Sequence, residues 1–547
     1  MLPFRSSRLI ILGLAAALIA PIAAQTIPLD ALMRGGRIHY DGQRYDRARE
    51  QFNKALEQYG ATADNSTLAE IHLRLGLCDA QLRDFPAAAE HFAMAVDKDT
   101  SYVAKIRKDE QWQYLAWTAL INTTRESYNS GQYETSLKYA LVALKVDPAK
   151  PQTYSLVANA YSALRRYDEM RGVADELLKL NAGSPEAYGL LGLYFLQKPD
   201  SLWPTNEARF ARWDSSTYYY QMAIEQYEKR FGEAKTRLSQ VLKIADPART
   251  DQAAGRLIEL SRAQDQSELK RYIEKDLNAK TQQQLADLAQ VASQLFFASN
   301  NVNVASSRAG TAALRAAAET RGDTSEKFRA RAEVLFNKAV QYDSSDLTAL
   351  FDLGITQYQG RQDSLAEKTL RLVLEQATVP LATLPAPLVT ELLALVTPEA
   401  ARTGYLQLTG PLAAKVDSVL FAQGHRAGSF GWLYCLDLKE KPDFSVAGPA
   451  DAQTMLLSSQ QPQLLEQTYL WLGSSQTGLG SMLNESGRKE EAKARFDRAI
   501  VNLQMGLKLN PKSTDAYQNL GICYREIGEK EKALKAFEMA EKIKKQK

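Results

Sequence analysis

Ala, Phe and Ala recur at one fixed spacing five times in this chain, as Ala48-Phe52-Ala55, Ala88-Phe92-Ala95, Ala332-Phe336-Ala339, Ala492-Phe496-Ala499 and Ala533-Phe537-Ala540. Steps of four and then three place the three side chains on one helical face, so each copy predicts a helix with a small-large-small stripe that packs on a neighbour. Twelve residues before three of these stripes stands Leu-Gly, as Leu75-Gly76, Leu479-Gly480 and Leu520-Gly521. A glycine inside a helix costs about 1 kcal/mol relative to Ala, so its recurrence predicts a crossing too close for a β-carbon, with the backbone of a second helix as the expected neighbour. The unit is a pair of antiparallel helices, repeated.

These residues resemble the tetratricopeptide repeat family, whose pattern runs aromatic, Leu-Gly and Tyr on a first helix, then Ala and Phe on a second. The fullest copy is Tyr517, Leu520-Gly521 and Tyr524 followed by Ala533, Phe537 and Ala540. Looser copies carry Leu353-Gly354 with Ala366 and Leu370, and Tyr154, Ala158 and Tyr161 with Tyr167 and Ala174. Tyr188, Leu191-Gly192 and Phe195 read as a first helix whose second helix follows only after an insertion. The resemblance implies an all-α solenoid of helical hairpins, with the first helix of each pair lining a concave side. It covers roughly half of the chain.

The expected organisation is a signal peptide at 1–24, an N-terminal array at 25–196, a divergent helical insertion at 197–325, central repeats at 326–378, a non-repeat insertion at 379–462 and a C-terminal pair at 463–547. The segment Ser101 to Trp117 reads as extra helix, Asn300 to Ser307 as a loop, and Gly424 to Asp437 as a turn or short strands. The two insertions leave two readings of the stack open, one continuous superhelix or two or three arcs.

Little in the chain points to catalysis or to a cofactor. Four histidines, His39, His72, His91 and His425, show neither His-Glu-x-x-His spacing nor paired Cys-x-x-Cys, which disfavours a zinc site. The run from Gly473 to Gly480 lacks the Lys-Ser/Thr of a phosphate loop and falls within a repeat helix. Ser429, near His425, lacks the Gly-x-Ser-x-Gly elbow. Glu485-Ser486 follows Gly478-Leu479-Gly480, the reverse of the order in exported lytic transglycosylases that carry a helical superhelix. Cys78 and Cys523 hold the same place in their repeats and read as buried thiols, and Cys435 has no evident mate. The formal charge is +3, with acidic and basic residues interspersed, and nothing in it asks for nucleic acid.

Function therefore falls to the groove. Positions three before the repeat Gly and one, four and five after it are expected to line it: Arg37 and Tyr40 in the first repeat, Arg125 and Tyr128 in the third, and Phe351 and Tyr358 around Gly354. No repeat has the Lys-Asn pair of a carboxylate clamp. The resemblance implies a non-enzymatic scaffold that holds partner proteins or peptides there, with no cofactor and no metal. Two alternatives are a peptidoglycan enzyme or accessory and a solute- or glycan-binding module in 379–462.

Arg5 and Arg8, the apolar run Leu9 to Ala20 and the Ala23-Ala24 end read as an export signal. The apolar run is shorter than the roughly 20 residues that span a bilayer, and no Cys stands near the cut to accept a lipoprotein's lipid. Periplasmic or secreted localisation follows as an expectation, with envelope proteins of a Gram-negative bacterium as partners and no integral membrane segment after cleavage. Cleavage is expected after Ala24, so intact-mass measurement of the exported protein should give a chain beginning at Gln25.

Overall fold

Each Ala-Phe-Ala stripe seats its ring in the socket left by a glycine on the preceding helix. A β-carbon on Gly36 would lie 2.4 Å from the Phe52 ring, on Gly76 3.0 Å from Phe92, on Gly310 2.7 Å from Phe336, on Gly480 2.7 Å from Phe496 and on Gly521 2.5 Å from Phe537. The close neighbour is thus an aromatic ring, not the helix backbone expected from the glycine alone. Phe52, Phe92, Phe336 and Phe496 are all at most 1% exposed. Other hairpins keep the fit with changed partners. Gly192 faces Tyr220 and Gly354 faces Leu370. Where Thr124 takes the glycine place, Ala140 takes the Phe place, and both are fully buried.

The computed structural model describes residues 27–263, 265–380, 384–394, 405–407, 410–422, 432–435, 454–457 and 462–546. The expected signal peptide at 1–24 lies outside them. By internal packing the chain forms two units, residues 1–180 and 181–547, so the array drawn at 25–196 crosses the division.

The first unit holds four hairpins: α1 (Leu29–Asp41) with α2 (Tyr45–Tyr59), α3 (Asn65–Gln81) with α4 (Phe85–Lys98), α6 (Glu110–Asn129) with α7 (Tyr133–Val146), and α8 (Pro151–Ala163) with α9 (Tyr167–Leu180). The extra helix expected at Ser101 to Trp117 is divided between α5 (Tyr102–Arg107) and the start of α6. Asp109 makes the break, its carboxylate accepting from the Trp112 amide at 3.0 Å as an N-cap.

In the second unit α10 (Pro185–Gln197) pairs with α11 (Asn206–Leu242). Between α11 and the equally long α14 (Gln282–Ala318) stand α12 (Pro247–Arg262) and α13 (Gln266–Arg271). Both ends of the 197–325 segment are therefore repeat helices. α11 presents Ser216, Tyr220 and Ala223, a stripe of the same four-three spacing, to Gly192. α14 presents Gly310 to the Phe336 of α15 (Gly322–Tyr342). The far ends of α11 and α14 form a separate core with α12 and α13 around Leu238, Leu257, Leu260, Val291 and Leu295.

Asn300 to Ser307 is not a loop. It lies inside α14, with Val302, Asn303, Ala305 and Ser306 buried. Asn303 and, just before the segment, Ser299 reach the last turn of α15: the Asn303 amide donates to the Ala339 carbonyl at 3.1 Å and the Ser299 hydroxyl to the Tyr342 carbonyl at 3.2 Å. Terminal carbonyls need such partners when buried.

α16 (Leu347–Gln359) and α17 (Asp363–Ala377) form the next hairpin, followed by α20 (Pro462–Glu485) with α21 (Lys489–Leu509) and α22 (Thr514–Glu526) with α23 (Lys530–Lys544). Between α17 and α20 the chain leaves the helical stack. There β1 (Thr378–Pro380), β2 (Tyr405–Gln407), β3 (Trp432–Cys435) and β4 (Thr454–Leu457) form an antiparallel sheet of order β1-β4-β3-β2, accompanied by α18 (Ala386–Ala394) and α19 (Gly410–Ala422). Short strands were among the expectations for Gly424 to Asp437, and β3 falls there. His425 and Ser429 lie outside the described residues.

The exit strand β1 pairs with the return strand β4, Val379 opposite Leu456, so the insertion closes on itself. α20 consequently packs directly on α17. Leu465 and Tyr469 share a core with Ala377, and Leu464 shares one with Leu350 and Val373. The 6%-exposed Glu367 accepts from Gln476 at 3.1 Å and pairs with Arg371 and Arg495, while the Ser475 hydroxyl donates to the Asp363 carbonyl at 2.7 Å. Of the two readings, the second unit fits the continuous one, because both insertions lie within it and the helices that flank them, α11 with α14 and α17 with α20, remain in contact.

A second recurrence sits seven residues after the glycine position. Gln43, Arg83, Gly131, Arg165, Arg361, Gly487 and Gly528 all have positive φ, from 57° to 88°. This left-handed residue turns helix one into helix two. Only three of the seven are glycine, so the turn is hidden in the sequence.

Two substitutions separate a socket glycine from an idle one. Gly521→Leu drives a side chain into the Phe537 ring and should destabilise the last hairpin by about 1–3 kcal/mol or more. Gly255→Ala, where a β-carbon meets nothing within 4 Å on an exposed helix face, should stabilise by about 0.5–1 kcal/mol. Urea titration followed by limited proteolysis of each variant measures both.

Candidate functional site

The six groove residues divide between the two units, Arg37, Tyr40, Arg125 and Tyr128 in the first and Phe351 and Tyr358 in the second. Arg37 and Arg125 are exposed, and among the described residues neither makes an ion pair or side-chain hydrogen bond. The other four are half-buried.

Their rings are held by the protein itself. Tyr40 meets Tyr45 edge-on with centroids 5.3 Å apart, and Tyr128 meets Tyr133 in the same way at 5.2 Å. In each case the partner lies five residues on, at the start of the second helix. Tyr358 packs edge-on against Trp471 of α20 at 5.2 Å, and Phe351 packs on the core of Leu350, Val373 and Leu464. Burial pushes the Tyr40 hydroxyl up to about 12 and raises that of Tyr358 too. Such aromatic pairs contribute about 0.5–1.5 kcal/mol beyond the area they bury. The tyrosines act first as hairpin and inter-repeat packing.

The equivalent positions of the second hairpin are closed. Leu73 and Leu77 are 0% exposed and Ala80 is 4% exposed, packed with Ile121 and Ala119 of α6 and the ring of Tyr40. Between α3 and α6 this face is therefore core, and the open chemistry of the first unit's set is the two guanidiniums. A guanidinium presents five donors in a planar fork and takes carboxylates in pairs.

Sequence reasoning missed the ring partners. A signal was present: nine residues after the glycine position stand Tyr45, Phe85, Tyr133 and Tyr167, an aromatic in all four hairpins of the first unit. It also missed Trp213, 3% exposed and flanked by the Arg212 guanidinium 3.8 Å and the Arg315 guanidinium 4.8 Å from its ring centroid. Nothing in the repeat frame marks that residue.

The glycine run and two of the cysteines singled out in the sequence are structural. Gly473, Gly478 and Gly480 lie on α20 and face Leu503, Asp363 and Phe496, so the glycine run serves helix crossings. Cys78 and Cys523 are fully buried free thiols, pushed by desolvation up to about 12 and about 11. Among the described residues no three His, Cys, Asp or Glu side chains are arranged to hold a metal ion, and no helix is long and apolar enough to cross a membrane.

Stacked two-helix repeats with glycine-aromatic sockets define a class of helical-repeat scaffolds. Models of the tetratricopeptide repeat match residues 33–103 and 502–535. Those two stretches are tetratricopeptide repeats, and repeats of this kind bind other proteins. Among solved structures, MamA protein is similar at 17% identity over 37% of this chain and 93% of that one, with a TM-score of 0.23. The thermophilic TPR protein TTC0263 of Thermus thermophilus is similar at 20% identity over 36% and 91%, with a TM-score of 0.18. The structure of Naa15/Naa10 bound to HypK-THB matches at 14% identity over 94% and 84%, with a TM-score of 0.21. At these scores the superpositions carry no weight beside the repeats themselves. No curated protein matches the sequence.

If Tyr40 serves packing, Tyr40→Phe should leave stability within about 0.5 kcal/mol, whereas Tyr40→Ala should cost about 2 kcal/mol or more. Thermal unfolding of both variants, monitored by circular dichroism, checks the contrast.

Proposed function

We propose that the protein is a non-enzymatic scaffold of the bacterial cell envelope, holding a partner protein on the inner faces of its first helices. The observation that carries the reading is the pair Arg37 and Arg125. They stand at equivalent positions of two repeats, exposed and without intramolecular partners among the described residues, on helices whose other groove-facing side chains are largely packed. Paired guanidiniums beside half-buried tyrosines favour a partner segment that carries carboxylates, since charge-assisted fork contacts are stronger than neutral ones. Phe351 and Tyr358 offer a second, more apolar contact in the other unit. The export signal read from Arg5 to Ala24 supports the compartment, and fractionation of cells expressing the full chain tests it.

The insertion at 379–462 supports a second reading, a module that binds a solute or glycan. Its support is the β1-β4 pairing, which makes the insertion a closed attachment on an uninterrupted stack.

Capture experiments from native envelopes distinguish the two. Arg37→Glu and Arg125→Glu should each weaken recovery of the same partner about ten-fold, the equivalent of roughly 1.4 kcal/mol, with helix content unchanged. Normal recovery by both variants, together with loss on deletion of 379–462, would move the site to the insertion. Turnover of purified peptidoglycan by the full chain would overturn the non-enzymatic reading.

A further inference from the structure

The second hairpin contains a chain of polar contacts that its packing frame does not require. His72 of α3 and His91 of α4 meet with their Nδ1 atoms 3.0 Å apart and their ring centroids 5.2 Å apart, the planes inclined by 29°. His72 is 6% exposed. On the other side of the His91 ring, Nε2 lies 3.8 Å from Oδ2 of the buried Asp79, whose Oδ1 is 3.3 Å from a guanidinium nitrogen of Arg49 on α2. The series Arg49, Asp79, His91, His72 thus joins three helices and ties the first hairpin to the second.

The space between two Nδ1 atoms at 3.0 Å accommodates one proton. One imidazole must donate and the other accept, and two imidazoliums would turn N–H against N–H and charge against charge. The carboxylates around the rings offset this only in part, since both histidines remain lowered overall. α2 supplies Arg49, committed to Asp79. α3 supplies Asp79, and α4 supplies Asp84, Glu90 and Lys98. From α7, Lys138 and Tyr139 hold Glu90, so its carboxylate is already engaged.

We propose that the His72–His91 contact is an acid-sensitive latch on the α3–α4 hairpin, closed while the rings share one proton and opened when both become charged. A partner resting on the neighbouring first helices would then meet a loosened surface at low pH.

The protonation balance has the required sign. Burial, reinforced by the facing ring, pushes His72 down to about 4, and burial lowers His91 as well. An unfolded histidine titrates near 6.5, so folding favours the neutral rings, and the stability they contribute above about pH 6.5 is lost as pH falls from there toward 4. Asp79 works in the opposite direction, since burial pushes it up to about 6 and its protonation favours the folded state as pH falls below that value. It is present in every variant compared below, so the difference between variants isolates the histidines.

Hydrogen exchange of the full chain, read by mass spectrometry over residues 65–98 at pH 7.5 and 4.8 and corrected for intrinsic rates, tests the latch. The wild-type protein should show exchange in α3 and α4 that is about ten-fold or more faster at the lower pH, relative to α14 in the same molecule. His72→Phe, which fills the site with an uncharged ring, should remove most of that acceleration. His72→Gln, a neutral hydrogen-bonding replacement, should do the same and covers any packing disturbance from Phe. Equal acceleration in wild type and both variants, or none in the wild type, overturns the proposal.

Discussion

A ring seated against a glycine is the contact on which the rest of this molecule depends. Fully burying a Phe side chain contributes about 1.5–3 kcal/mol by transfer from water, but its larger effect is geometric. The ring fits only if the facing helix lacks a side chain at one point, so the pair fixes both the rotation and the height of one helix against the other. Substituted pairs keep the sum of volumes nearly level. Phe against Gly becomes Tyr220 against Gly192 and Leu370 against Gly354. Interiors tolerate such exchanges when total volume is preserved, which is how one hairpin geometry survives so much sequence change.

That same geometry lets the chain carry insertions without losing the stack. α11 and α14 are each 37 residues long because one part of each helix belongs to a repeat and the other to the small core they share with α12 and α13. At the second insertion, paired entry and exit strands bring the chain back where it left, and α17 meets α20 through apolar residues and the Glu367 network. Removing one partner from such a buried ionic cluster is costly, because the remaining charge stays desolvated. The repeats form the framework, and the insertions extend it.

What each side chain touches separates packed residues from exposed ones in the repeat frame. Tyr40, Tyr128 and Tyr358 occupy positions that the repeat frame assigns to the groove, yet each ring has an aromatic partner within the protein. Arg37 and Arg125 occupy comparable positions with no such partner among the described residues. A long cationic side chain carries its charge beyond the packed surface, whereas an aromatic ring beside an apolar neighbour gains most by burial. The rings are therefore engaged in packing, while the two guanidiniums stay in solvent.

The sequence by itself determined the helical hairpin, its periodicity and the residues that fill its core, because a four-three stripe and a recurrent glycine have few other solutions. The socket partner was less legible, since a glycine announces close approach without saying whether a backbone or a ring approaches. Gly310 escaped notice because its Phe336 lies 26 residues away rather than the sixteen between Gly76 and Phe92. Asn300 to Ser307 looked like a loop because polar and β-branched residues favour one locally, and only the last-turn carbonyls of α15, distant in sequence, supply the partners that let Ser299 and Asn303 be helical and buried. Exposure was decided by tertiary structure alone. Frame position states which way a side chain points, but whether anything stands there depends on residues distant in the chain, as Trp471 does for Tyr358 and Asp79 for His91.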